Sequence, residues 1–193
     1  MALSFALGAT CFFLGPFPGF VELVGVTADA VTFFVGSVLF TAGGALQVWI
    51  AAPERHAPGG GRAAWWVALI QSAGTLFFNV STFRALHVTL TDPSYDRLVW
   101  RPDVYGSVCF LISGALAYRA RDAAGSWQAS VNLAGCVLFG VSAITAFLRP
   151  ATGESVDQQI TNVTTSAGAA CFLACALAGL WPKRSVTEAE AGP

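Results

Sequence analysis

Charge is what this chain has least of. Only 11% of its 193 residues are Asp, Glu, Lys or Arg, against about a quarter in an ordinary soluble domain. Hydrophobic residues make up 55% and the mean hydropathy is +0.63, so there are too few charges to cover a soluble globule, and the composition predicts an integral membrane protein. Ten Lys and Arg stand against eleven acids, for a net charge of -1. With no Lys/Arg-rich tract, nucleic acid is excluded as a partner. Positive charge is also missing ahead of the first apolar run, MALSFALGATCFFLGPFPGF, which lacks a convincing cleavage site and reads as a retained helix rather than a secretory signal.

Catalytic signatures are absent too. There is no Gly-x-Ser-x-Gly elbow, no His-Glu-x-x-His, no P-loop and no Asp-rich motif that would hold a diphosphate through magnesium; Asp-Pro-Ser-Tyr-Asp at 92–96 is too loose to count. All five cysteines lie inside apolar runs, where Cys behaves as a small hydrophobe. Cys171 and Cys175 share a helix face, but no His or further Cys stands near them. The expectation is no disulfide framework, no metal site and no cofactor.

What is present is helical. Six apolar segments are predicted at about 2–20, 30–51, 65–86, 104–119, 127–148 and 163–181, most near the roughly 20 residues that cross a bilayer. Pro16 and Pro18 must end the first near Leu14. Runs of this length satisfy their backbone groups only as helices, so no sheet is expected. Each segment contains Gly-x-x-x-Phe: Gly8/Phe12, Gly36/Phe40, Gly74/Phe78, Gly106/Phe110, Gly135/Phe139 and Gly168/Phe172. Chance at this composition gives roughly one or two such pairs.

Longer matches agree. WVALIQSAGTLFFNVS in the third segment parallels WQASVNLAGCVLFGVS in the fifth, and GSVLFTAGGAL, GSVCFLISGAL and GAACFLACALA relate the second, fourth and sixth. The predicted fold is all-α, a six-helix membrane bundle of three related hairpins with pseudo-threefold internal similarity. It forms one domain over 1–182 with a polar tail at 183–193. Glycine here serves close helix approach, and the Phe one turn on fills the neighbouring groove.

With the N-terminus inside, Arg55, Arg62, Arg119, Arg121, Lys183 and Arg184 fall in the cytoplasm and Arg84, Arg97, Arg101 and Arg149 outside. Both termini are then cytoplasmic, and the three turns within hairpins share the other face. Those turns hold seven of the eleven acids: Glu22, Asp29, Asp92, Asp96, Asp103, Glu154 and Asp157. Gathered around one mouth, they suit an amphiphilic ligand with a polar head and an apolar tail; taken singly, they mark the water boundary. Within the bilayer Gln47, Gln71, Asn79, Arg84 and Asn132 are costly groups that need partners or a cavity. His87, at the helix end beside these, is either a proton carrier or, as a lone interfacial His more often is, simply solvated.

FFVGSVLF (33–40) and YGSVCFLISG (105–114) resemble the Gly-Ser-centred helices of the YrhK-like family of small bacterial membrane proteins. That resemblance implies a multi-pass bacterial protein with no assigned chemistry. More remotely, the size and the aromatic-rich, acid-bearing helices resemble small bacterial membrane terpene cyclases, from which no catalytic residue carries over.

Two function classes follow. In the first, an acid with a raised pKa protonates an isoprenoid alkene or epoxide while aromatic faces stabilise the cation. Asp29, Asp96 and Asp103 are the candidate catalytic acids. Arg84, Arg97 and Arg101 would hold an anionic head, Gln71 and Asn79 would line the pocket more deeply, and Trp65, Phe78, Trp100 and Tyr105 would supply π-faces. In the second, the chain is a noncatalytic scaffold or a lipid- or partner-binding protein, self-association left open. A transporter ranks below both, because threefold similarity lacks the inverted twofold repeat of alternating access.

Overall fold

The computed structural model describes residues 1–56, 60–89, 91, 93–121 and 126–180. Asp92, part of the PERHAPGGGR linker, and the tail with Lys183 and Arg184 lie outside the described residues. Helix α1 (Ala2–Leu14) stops where Pro16 and Pro18 require it to. The short α2 (Phe20–Val24) follows between Gly19 and Gly25, both at φ near +85°, a region open to glycine at little cost. Next come α3 (Val26–Ala51), with Asp29 in its first turn, and α4 (Gly60–Ala85). A π-helical stretch at Asp96–Trp100 leads into α5 (Arg101–Ala120), which carries Pro102 at its start.

Helix α6 (Ser126–Thr145) is shorter than the apolar run suggests, because Leu148 turns to bridge Ser155 and the Asp157 N–H donates to the Thr145 carbonyl. Helix α7 (Gln158–Ala178) starts earlier than expected because Asp157 caps it, its Oδ1 accepting from the Ile160 N–H at 2.9 Å. Among the described residues there is no strand beyond that isolated bridge.

Among the described residues, four stretches are long and apolar enough to cross a membrane: Val26–His56, Gly61–Ala85, Trp127–Thr145 and Gln158–Ala178. The chain is thus an all-helical protein with membrane-capable helices. Helix α1 is apolar, but its 13 residues rise only about 20 Å. Helix α5 has 20 residues and carries Arg101, Asp103 and Arg119 at its ends.

Packing runs from neighbour to neighbour: α1 on α3, α3 on α4, α4 on α5, α5 on α6, α6 on α7, and α7 back on α1. The repeated glycines lie at three of these contacts. A Cβ on Gly8 would stand 2.9 Å from the Gly36 carbonyl oxygen and from Phe40. One on Gly106 would stand 3.1 Å from the Gly74 oxygen, and one on Gly168 3.1 Å from the Gly135 oxygen. Backbone meets backbone there, which no larger residue allows without a shift. Gly8→Ala should therefore cost roughly 1–3 kcal/mol, read as a lower thermal midpoint in a fixed detergent. Leu3→Ala, on the exposed side of α1, should change little. Equal midpoints would mean that α1 and α3 are held by something other than this contact.

The six phenylalanines of the motif meet at the centre. Phe12, Phe78 and Phe139 form one triangle with ring centroids 5.8–6.4 Å apart. Phe40, Phe110 and Phe172 form a second at 5.7–6.3 Å. The triangles touch through Phe12–Phe40, Phe78–Phe110 and Phe139–Phe172 at 5.0–5.7 Å. All six rings are buried, and mostly tilted or edge-on contacts suit their quadrupoles.

Candidate functional site

A cavity of about 1030 Å³ opens on the side of this aromatic centre where α1 ends and α5 and α7 begin. Phe12 and Phe139 reach it from the first triangle, and Phe33 stands beside them. Hydroxyls of Ser81, Thr82, Ser142 and Thr165 line it, as do Asp29, Tyr95, Trp100 and Asp103. Most of the hydroxyls are already engaged between helices: Ser37 with Thr82 at 2.8 Å, and Ser142 with Thr165 at 2.6 Å. They clamp the walls rather than wait for a ligand.

The acid-bearing segment is fixed by two bonds. The Ser81 hydroxyl donates to the Val99 carbonyl at 2.8 Å, tying α4 to the π-helical stretch. The Trp100 indole N–H donates to the Ala143 carbonyl at 2.8 Å, tying the same stretch to α6. Phe147 packs on the Trp100 ring at 4.8 Å. Val99 and Trp100, just ahead of the α5 turn that carries Asp103, are thus tied to both neighbouring helices.

Asp103 sits in the first turn of α5, ahead of the apolar run that begins at Val104. Burial pushes its carboxyl up to about 7, so near neutral pH a sizeable fraction carries the proton. Tyr95 is raised to about 12 by burial and by the Asp103 charge nearby. No ion pair reaches Asp103 among the described residues. Asp29, which lines the same cavity, keeps a buried Oδ1 with no hydrogen-bond partner among the described residues, an arrangement that costs free energy unless something polar approaches.

The other expected site residues are dispersed. Asp96 pairs with Arg101 at 2.8 Å, with both side chains more than a third exposed; such a pair adds little stability. Arg84 and Arg97 are exposed, and none of the three arginines lines the cavity. Asn79 is turned to α3, where its Nδ2 donates to the Thr41 hydroxyl at 2.8 Å. Tyr105 is exposed and packs on Phe77. Trp65 contacts Trp66 at the start of α4, and Gln71 lines a different cavity. Phe78 belongs to the aromatic centre. Of the proposed set, only Asp29, Trp100 and Asp103 share this cavity.

A sequence signal separates them. Three residues before each repeat glycine stand Phe5, Phe33, Gln71, Asp103, Asn132 and Thr165. Seven before it stand Met1, Asp29, Val67, Val99, Gln128 and Thr161. All twelve line one of two cavities. Asp29 and Asp103 therefore occupy inward register positions at which the other helices facing this cavity carry Val99, Thr161, Phe33 and Thr165. Tyr95 and Gln128 were not anticipated; Gln128 is legible from the same register, and Tyr95 is not, since it precedes the irregular turn. No family model, curated protein or solved structure matches this chain.

Proposed function

We propose that the chain crosses the membrane six times in three related hairpins, with both termini cytoplasmic, and that the acid-lined cavity takes an uncharged isoprenoid-like chain for proton-initiated isomerisation or cyclisation. The packing circuit supports the six-span reading, because α1 and α5 are built into it beside the four longer helices. The observation that carries the chemistry is the Asp103 carboxyl, which no ion pair reaches among the described residues, in a cavity of about 1030 Å³ walled by Phe12, Phe33, Trp100 and Phe139; burial raises its pKa. Its volume lies at the top of the ~300–1,000 Å³ range of small-molecule sites. With acids inside and arginines outside, a diphosphate head is disfavoured.

In this mechanism the Asp103 carboxyl adds its proton to a carbon–carbon double bond, whose π electrons form the new C–H bond. The resulting cation lies against aromatic faces. It is quenched by a second double bond, which closes a ring, and then by loss of a neighbouring proton to the Asp29 carboxylate. Solvent restores both acids, so the change is an isomerisation with no redox partner.

The test is to incubate the protein in nanodiscs with farnesol, its 10,11-epoxide and farnesyl diphosphate in D₂O, with products followed by mass spectrometry. The expected result is a deuterated isomer from a neutral substrate. Asp103→Asn should cut turnover at least ~100-fold with binding retained. Binding without conversion by the wild type would leave a noncatalytic amphiphile binder, and absence of both would remove the proposal.

A further inference from the structure

A second cavity, of about 270 Å³, lies on the far side of the aromatic centre, against Phe40 and Phe172 of the second triangle. Four amides line it: Gln47 from α3, Gln71 from α4, and Gln128 and Asn132 from α6. No acid, Lys or Arg lines it among the described residues. The positions contributed by the remaining helices are apolar or small, including Phe5, Ala117 and Gly179. The cavity therefore has one hydrogen-bonding side and one apolar side.

These amides do not clasp each other. The side chains of Gln47, Gln71 and Gln128 have no hydrogen bond within the described residues, and Asn132 reaches only the Cys136 sulfur at 3.9 Å. Gln71 lies close to the midpoint of α4, where a polar group without a partner is expensive. Amides kept only to join helices would face one another; these face a space. Met1 also lines it, but no charged side chain among the described residues does, so the fitting occupant is neutral. The volume is below that of a drug-sized site and accommodates one ring rather than a lipid chain.

We propose that this cavity binds an uncharged quinone-class ring, with its oxygens on the amide side and Phe5, Phe40 and Phe172 as its apolar walls. Each amide offers both an N–H donor and a carbonyl acceptor. A quinone oxygen accepts from the first, and a quinol hydroxyl donates to the second, so both oxidation states are satisfied. This site is separate from the acid-lined cavity and does not depend on its chemistry.

Titration calorimetry on the full chain in nanodiscs tests it, using 2,3-dimethoxy-5-methyl-1,4-benzoquinone with one prenyl substituent and the corresponding quinol. Saturable binding of both forms is expected beyond their partition into empty nanodiscs. Gln71→Leu and Asn132→Leu should each weaken it about tenfold, the equivalent of one lost hydrogen bond, while Asp103→Asn leaves it unchanged. Gln128→Leu provides a third variant should either of the first two unfold. Partition without saturation, meaning a vestibule filled by water alone, overturns the proposal. So do Leu variants that bind like wild type, or a loss on Asp103→Asn that places the ring in the other cavity.

Discussion

Asp103→Asn should make the protein more stable at pH 8, and the gain should vanish near pH 4. The carboxyl is raised from 3.8 to about 7 by burial. Between those values the folded chain keeps a proton that the unfolded chain has released, so stability falls as pH rises through this window. Above about 7 the cost is constant, because the folded state then holds a desolvated charge. Below about 4 both states are protonated and the term disappears. Three units correspond to about 4 kcal/mol at most, and about 2–4 kcal/mol is the expected gain for the neutral isostere at pH 8. Unfolding midpoints in one detergent at pH 4, 6 and 8 measure it. Parallel curves for wild type and variant would mean that Asp103 is solvated and cannot be the poised acid. A group that lowers stability while occupying an inward register position is what a reactive acid entails.

Much of this arrangement is legible in the sequence through its Gly-x-x-x-Phe pairs. The glycine and phenylalanine of each apolar segment become close backbone contacts and a six-ring centre, and Pro16 and Pro18 end α1 at Leu14. Counting back from the glycines also identifies the inward residues. Spatial grouping is harder to read. Gln71 and Asn79 are eight residues apart on one helix, about 12 Å of rise, and the Phe78 layer separates the Gln71 cavity from the acid-lined one. Asp96 and Asp103 are neighbours in the chain, yet the π-helical stretch from Asp96 to Trp100 turns Asp96 outward to Arg101. Nothing in the composition of DRLVW announces that turn. The arginines mislead for a related reason: adjacency to acids suggests a shared anion site, whereas Arg84 and Arg97 are exposed away from the cavity and Arg101 pairs with Asp96.

Phe110→Ala should be among the most damaging single substitutions in the chain. Its ring is 2% exposed and meets Phe78 at 5.0 Å, Phe172 at 5.7 Å and Phe40 at 6.3 Å. It also packs against Gly74 closely enough that a Cβ there would stand 2.8 Å from Cδ1. Within a bilayer, burial gains little over lipid contact, so the loss there is one of dispersion contacts and of a void the neighbours cannot close. Truncation of a core Phe costs about 3–5 kcal/mol, and that range is expected here because close glycine contacts prevent the helices from moving inward. Phe83→Ala removes the same atoms from a ring 45% exposed near the end of α4 and should cost under about 1 kcal/mol. The void left at Phe110 is lined by aromatic rings, so it should stay dry and accept benzene. Saturating benzene should then raise the unfolding midpoint of Phe110→Ala and leave that of the wild type and of Phe83→Ala unchanged. Equal losses for the two alanine variants would place the stability of the helices elsewhere than in the six rings, and a loss at Phe110 without benzene rescue would mean that the centre collapses when one ring is removed.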